Sequence, residues 1–237
     1  MTKLIYAFDE GQKSMKDLLG GKGANLSEMK RLGLPVPDGF TITTEACIDY
    51  LKQGERLSDD VKAQLHKHLT AFSNRTGKSF SSQDHLLLVS VRSGAKISMP
   101  GMMDTILNLG LNDENVEKLA TKTDDARFAY DCYRRLLQMF GDVVYGVAMT
   151  HFDTYFEQYK KEHQYDSDAD ITAEGLKEIC EQYKDIYLEH GHRPFPQDPL
   201  QQLEESIEAV FKSWDNDRAR VYRDLNEIPH DIGTAVN

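Results

Sequence analysis

The sequence has few cysteines and no long apolar segment. Its three cysteines, Cys47, Cys132 and Cys180, are widely spaced and form no Cys-x-x-Cys pair. An odd number of separated thiols argues against a disulfide framework and against a zinc site. No segment approaches the ~20 consecutive apolar residues that span a bilayer, and the apolar run at residues 4–8 is too short for a signal-peptide core. We therefore predict a reduced, cytoplasmic protein with no membrane partner.

The sequence also lacks an excess of positive charge. Its 237 residues include 28 Lys+Arg and 39 Asp+Glu, which gives a formal net charge of −11. A protein that coats nucleic acid needs a basic face, so nucleic acid is not a predicted partner. A site for a small anion stays open, because a few local cations are enough to form one.

Strand-like and helix-like patterns alternate over the first ~110 residues. Short apolar runs predict strands at residues 4–8, 40–43, 86–91 and 105–109. Longer patterns predict helices at 45–53 and at 59–72, the second with Ser58 as its N-cap. The spacing of Leu26, Met29 and Leu32 favours one more short helix, which Gly33 can end. This alternation is typical of the α/β (α+β) class.

Helical patterns dominate after residue 112. A break at residues 191–196 precedes an amphipathic helix with Asp198 as N-cap and Pro199 as its first residue. We predict an α/β part made of residues 1–111 and 198–237, and a mostly helical subdomain at 112–197. Ala235 and Val236 are typical of the start of a strand, so we expect the 237-residue sequence to be part of a longer protein.

The first candidate site is the run Gly-Gly-Lys-Gly-Ala-Asn-Leu at residues 20–26. Glycines let a backbone approach a ligand closely. A helix that starts near Gly23 would direct free N–H groups and a partial positive charge at a phosphate, and Lys22 adds a full charge. The pattern is not a Walker A loop, so a tight turn with an exposed lysine remains the alternative.

The second candidate is Arg92. The hydrophobic strand predicted at 86–91 would deliver it at the carboxyl end, where open α/β sheets bind ligands. Its planar guanidinium suits phosphate oxygens. The alternative is an arginine that satisfies backbone carbonyls at the end of the strand.

The third candidate is the segment at residues 98–105. Met99-Pro100-Gly101-Met102 predicts a type II turn, with proline followed by glycine. The segment could fold its N–H groups and the Thr105 hydroxyl over a polyphosphate. The alternative is a hairpin tip whose methionines fill gaps in the packing.

Three segments resemble the pyruvate- and phosphoenolpyruvate-dependent dikinases. They are residues 20–26, residues 32–40, and the string SVRSGAKISMPGMMDTILNLGL at residues 90–111. The long string is the most specific of the three. It resembles the pyruvate, phosphate dikinase family and not its relative, phosphoenolpyruvate synthase, which has a different sequence after the arginine-serine pair.

The resemblance implies an ATP-grasp nucleotide-binding region in a three-domain transferase. The family converts ATP, phosphate and pyruvate into AMP, pyrophosphate and phosphoenolpyruvate with Mg²⁺, and a histidine on a swivelling domain carries the phosphoryl group. By this resemblance Lys22 and Arg92 are catalytic and hold the transferring phosphates. The implied loop that closes on the β- and γ-phosphates of ATP consists of Gly101, Met102, Met103, Asp104 and Thr105.

The resemblance is incomplete in two respects. No segment matches the threonine-serine-histidine-alanine motif of the carrier histidine, and the Mg²⁺ ligands of the family lie beyond Asn237. The implied partners are ATP, phosphate and a carrier-histidine domain of the same intact chain, and a homodimer is left open. The second half of the grasp and the pyruvate barrel are expected outside these residues, so we expect these residues alone to be inactive.

Two alternatives remain. One is phosphoenolpyruvate synthase or another dikinase that shares this nucleotide domain. The other, of a different class, is a non-catalytic interaction module whose acidic helices at 112–190 form the binding face.

Overall fold

The computed structural model describes residues 2–237, and its five strands and nine α-helices confirm the mixed α/β class. None of the helices within this range is both long and apolar enough to cross a lipid bilayer. In chain order the elements are β1 (Ile5–Ala7), α1 (Lys16–Arg31), β2 (Phe40–Ile42), α2 (Thr44–Lys52), α3 (Asp59–Thr76), β3 (Val89–Ala95), β4 (Thr105–Leu109), α4 (Asn115–Thr123), α5 (Ala126–Tyr145), α6 (Met149–Glu162), α7 (Ala173–Ile186), α8 (Pro199–Ser213), α9 (Asp217–Leu225) and β5 (Thr234–Val236).

The strands form one sheet in the order β1-β2-β5-β3-β4. β1 pairs antiparallel with β2, and β5 pairs antiparallel with both β2 and β3. The strand predicted around Ala235 and Val236 is therefore confirmed, and it lies inside the sheet. Its neighbour β2 is about 190 residues earlier in the chain, which makes this pairing one of high contact order.

The strand predicted at residues 86–91 begins and ends later than expected, since β3 is Val89–Ala95. Ser93, Gly94 and Ala95 pair with Val236, Ala235 and Thr234 of β5. Backbone pairing with β5, which the apolar pattern does not record, therefore sets the carboxyl end of β3. As a result Arg92 lies within the strand, and the prediction that it follows the carboxyl end is wrong.

Helix α1 is longer than the short helix predicted around Leu26, and it buries a different face. Met29 and Leu32 are exposed to 41% and 64%, although their spacing with Leu26 resembles a core stripe. The buried residues on this part of the helix are small, namely Gly23, Ala24 and Ser27. The side chains that face the sheet are small because the helix packs very close to it.

The chain divides into two compact units. The first consists of the residues up to Lys78 together with Val91–Thr105 and Ile207–Asn237. Its core contains buried side chains from the sheet and from the helices. The largest fully buried apolar side chains are Ile5, Leu19, Ile42, Leu65, Phe211 and Trp214.

The second unit consists of Ser79–Ser90 and Ile106–Ser206. Helix α5 packs against α4 and α7 in it. The unit also contains a cluster of aromatic rings in edge-to-face contact that includes Phe140, Tyr187 and Phe195. These units are compact bodies, and the domain boundaries at 111/112 and 197/198 stay a prediction.

Candidate functional site

The glycine-rich run lies in α1, where one residue interrupts the helix. Gly20 has φ 67° and ψ 173°, while the residues on both sides are helical. A new helical segment therefore begins at Gly21, two residues before the predicted start near Gly23, and Lys22 lies in its first turn. The first-turn N–H groups of such a segment have no partner within the helix and carry a partial positive charge.

The glycines allow this segment to lie directly on the sheet. A Cβ atom built on Gly20 would overlap the carbonyl oxygen of Gly94 in β3. A Cβ on Gly23 would lie only 2.7 Å from Thr41 Oγ1 and 2.7 Å from Asn237 Oδ1. Larger residues would push the helix away from the strands, so the glycines position Lys22 beside β3.

Lys22 and Arg92 are neighbours in the structure. The Lys22 ammonium donates a hydrogen bond to the carbonyl oxygen of Ser93 over 2.9 Å. Although Lys22 as a whole is exposed, the protein around its ammonium partly desolvates it, which lowers its pKa, and the positive charge of Arg92 lowers this pKa further. The fold thus places Lys22 near Arg92, and the prediction that both face one phosphate pocket stays a prediction.

The backbone of Arg92 is held firmly while its side chain is exposed. Its N–H donates to the carbonyl of Asn237 over 2.9 Å, and its carbonyl accepts from the N–H of Asn237 over 2.8 Å. Among residues 2–237 no carboxylate forms an ion pair with the guanidinium. A fixed backbone with an exposed, unneutralised cation is an arrangement that can bind an anion.

The lowered pKa of Lys22 has a direct chemical consequence. At a given mildly alkaline pH, Lys22 should contain more neutral amine than an ordinary lysine, and it should react faster with acetic anhydride. Peptide mass spectrometry over a time course measures this, with exposed Lys67 as the reference. In the Arg92→Ala variant the rate should fall, because the neighbouring positive charge is gone. Equal rates for Lys22 in the two proteins would contradict the described contact.

The segment after β3 forms the predicted type II turn. Gly101 has φ 72°, and the Met102 N–H donates to the carbonyl of Met99 over 3.2 Å. A side chain on Gly101 would meet no atom within 4 Å, so the tip of the turn is open to solvent. Met99 is buried, and Thr105 is the first residue of β4.

This loop contacts the start of α9. The Asn216 side chain caps that helix by accepting from the Ala219 N–H over 2.7 Å, and its amide nitrogen lies 3.5 Å from the carbonyl of Met102. Arg218 forms a 3.8 Å ion pair with Asp104. The described contacts thus join Lys22 to the Arg92 strand, and they join the loop to α9. That the two cations and the loop meet at one bound ligand stays a prediction.

Some neighbours of the glycine run had no predicted role. Lys16 and Lys96 both approach Gly21, since a Cβ built there would lie 3.6 Å from Lys16 Cε and 3.6 Å from the Lys96 carbonyl oxygen. Lys96 is ion-paired with Asp17. Lys96 lies inside the long string that carries the family resemblance, but its contact with α1 has no signal in the sequence.

Two open grooves of the first unit lie away from these residues. One, of about 780 Å³, is lined by residues of α2 and the start of α3, and another, of about 610 Å³, lies along β1 and α3. Neither is lined by Lys22, Arg92 or the loop. Within residues 2–237, no three His, Cys, Asp or Glu side chains are grouped to hold a metal ion.

Comparison with known proteins identifies close relatives over the whole chain. A family model described as "Pyruvate phosphate dikinase, AMP/ATP-binding domain" matches residues 16–67 and 53–237. The chain is 52% identical over 238 residues to pyruvate, phosphate dikinase of Clostridium symbiosum. This alignment covers 100% of the chain and 27% of that relative.

Relatives from distant organisms give the same result. The chain is 52% identical over 239 residues to the chloroplastic pyruvate, phosphate dikinase 1 of Arabidopsis thaliana. This alignment covers 99% of the chain and 25% of the relative. The chain is 46% identical over 243 residues to the pyruvate, phosphate dikinase of Giardia intestinalis. This alignment covers 100% of the chain and 27% of the relative. The chain spans about a quarter of the length of these curated relatives.

Proposed function

The chain belongs to the pyruvate phosphate dikinase AMP/ATP-binding domain family, and on this premise we propose that Lys22 and Arg92 bind the phosphates of ATP. The observation that carries the proposal is the position of the Lys22 ammonium, 2.9 Å from the Ser93 carbonyl and beside the charge of Arg92. Two cations held this close repel each other, and a bound polyanion would relieve that repulsion. The start of the helical segment at Gly21 adds the partial positive charge of its N–H groups.

In this proposal the two cations do different work. The Arg92 guanidinium, on a strand whose backbone is fixed, would form two parallel hydrogen bonds to phosphate oxygens. Lys22 would exchange its bond to the Ser93 carbonyl for one to phosphate, and the anion would raise its pKa again. Both would stabilise the charge that is redistributed during phosphoryl transfer, which depends on positioning and electrostatics more than on covalent chemistry by the protein.

The type II turn supplies the second part of the proposed site. We assign the closing loop over the β- and γ-phosphates to Gly101, Met102, Met103, Asp104 and Thr105. The open tip at Gly101 would let backbone N–H groups reach phosphate oxygens without interference from a side chain. The contacts of Asn216 and Arg218 with the loop are long, 3.5 and 3.8 Å, which is compatible with a loop that moves on binding.

For a full-length protein that carries this chain, we propose the pyruvate, phosphate dikinase reaction. ATP, phosphate and pyruvate would give AMP, pyrophosphate and phosphoenolpyruvate, with a histidine on another domain as the phosphoryl carrier. Mg²⁺ would neutralise phosphate charge when bound, and its ligands would come from outside residues 2–237. The chain by itself would bind ATP weakly and turn nothing over. A cytoplasmic location and a homodimer of the full-length enzyme belong to the same proposal.

Phosphate dependence tests this assignment. AMP formation from ATP and pyruvate by the full-length protein should require inorganic phosphate and should yield pyrophosphate in equal amount. The control is the isolated chain, which should form no AMP under the same conditions. If the full-length protein forms AMP and phosphoenolpyruvate without added phosphate, water is the second acceptor, and the protein acts as a phosphoenolpyruvate synthase.

A further inference from the structure

The surroundings of Gly21 hold more charge than the proposed site uses. Lys16 Cε and the Lys96 carbonyl each lie 3.6 Å from the position of a Cβ on Gly21. The Lys96 ammonium is paired with the carboxylate of Asp17, in the first turn of α1. The carbonyl of Asp17 accepts a 2.8 Å hydrogen bond from the Thr44 hydroxyl, so the backbone that carries this carboxylate is anchored.

The local charge is opposite in sign to that of the chain. The described neighbours of the glycine run include four cations and one carboxylate, whereas the chain carries −11. Such a local excess attracts an anion and focuses it on the site. The four cations are Lys16, Lys22, Arg92 and Lys96.

We propose that Lys96 is a further phosphate-binding residue of the site at Lys22 and Arg92, and that Asp17 holds its ammonium away until a polyphosphate binds. This inference rests on the proposed function. It adds Lys96 as a binding residue and Asp17 as the residue that controls whether the Lys96 ammonium is available. On binding, the ammonium would exchange the Asp17 carboxylate for a phosphate oxygen. The flexible four-carbon stem of lysine allows this movement, while the Lys96 backbone stays beside Gly21.

The exposure of the ion pair makes the exchange easy. The Lys96 and Asp17 side chains are 44% and 78% exposed, and an ion pair this open to water contributes little to stability. A polyphosphate carries several negative charges and would compete with a single carboxylate. Asp17 therefore sets a threshold: weakly charged anions would leave the pair intact, and a polyphosphate would open it.

A double-mutant cycle tests this coupling. Calorimetric titration with inorganic tripolyphosphate measures the affinity of the chain directly, without any catalytic step. Lys96→Met should weaken binding roughly fivefold, because one charged hydrogen bond is lost. Asp17→Asn should strengthen it about threefold at low salt, because Lys96 no longer has a competing partner. In the Lys96→Met background, Asp17→Asn should have a clearly smaller effect, because only the general repulsion between the carboxylate and the polyphosphate is then removed.

Two further variants separate this role from a general charge or folding effect. Lys96→Arg should restore the affinity lost in Lys96→Met, since it keeps the charge. Asp49→Asn makes the same change in net charge in the groove at α2 and should leave the affinity unchanged. The inference is overturned if Asp17→Asn strengthens binding equally with and without Lys96, or if Lys96→Met binds as well as the parent chain.

Failure of the inference and failure of the proposed function give different results. If Lys22→Ala weakens tripolyphosphate binding and Lys96→Met does not, only the role of Lys96 is lost. If Lys22→Ala and Arg92→Ala both leave the affinity unchanged, the phosphate site itself is wrong.

Discussion

On the proposed function, replacing Lys22 or Arg92 with alanine should slow the proposed ATP half-reaction of the full-length protein by about 10²–10³-fold each, as expected for a preorganised charge that stabilises the transition state. The structure gives the reason. Both cations are placed by backbone contacts, Lys22 through the close approach of α1 to β3 and Arg92 through its paired hydrogen bonds with Asn237. In the proposed site they would therefore need little reorganisation when charge develops on the transferring phosphate.

Isotope exchange between ATP and its products measures this half-reaction independently of pyruvate. Lys67→Met is the matched control, because it removes an exposed cation from the groove along α3 and should leave the rate unchanged. The double variant Lys22→Ala/Arg92→Ala should lose less than the product of the two single losses, since in the proposed site the two residues would act on one group. Full activity in both single variants would instead support a non-catalytic interaction module.

Replacing Gly20 with alanine should destabilise the first unit by about 3 kcal/mol or more, because a strained backbone and a steric overlap are combined at this residue. The backbone at φ 67°, ψ 173° lies in a region that is almost restricted to glycine. The new methyl group would also overlap the Gly94 carbonyl oxygen, which belongs to the backbone of a paired strand. Neither atom can move aside without separating α1 from β3.

Gly33→Ala provides the control for backbone strain alone. Gly33 also has a positive φ, 75°, but a Cβ there would meet nothing within 4 Å, so we expect a cost of about 1 kcal/mol. Chemical denaturation followed by circular dichroism measures both free energies of unfolding. Equal costs for the two variants would contradict the close helix–strand contact. Any Gly20→Ala protein that still folds should bind tripolyphosphate weakly, because Lys22 is displaced.

Local features were readable from the sequence because a few neighbouring residues determine them. Ser58 caps α3 by accepting from the Val61 N–H, and the Pro100-Gly101 pair forms the predicted turn. The strand predicted at 105–109 has those bounds in the structure. Each of these depends on hydrogen bonds or dihedral preferences within one short segment.

Features that depend on distant partners were predicted poorly. The pattern of Leu26, Met29 and Leu32 resembles a core stripe, yet two of these residues are exposed, because contact with the sheet requires the smallest residues of α1. The extent of β3 depends on β5, which lies some 140 residues later in the chain. Periodicity describes one segment at a time and contains no information about the surface that segment meets.

The sequence by itself determined the family, the supply of cations and glycines, and the turn at Gly101. Tertiary structure decided which of these residues meet. It places the Lys22 ammonium on a carbonyl 71 residues away and closes Gly20 onto Gly94, and it pairs Lys96 with Asp17. The physical reason is that a glycine permits another segment of backbone to pack closely against it. Only the folded chain determines which segment that is.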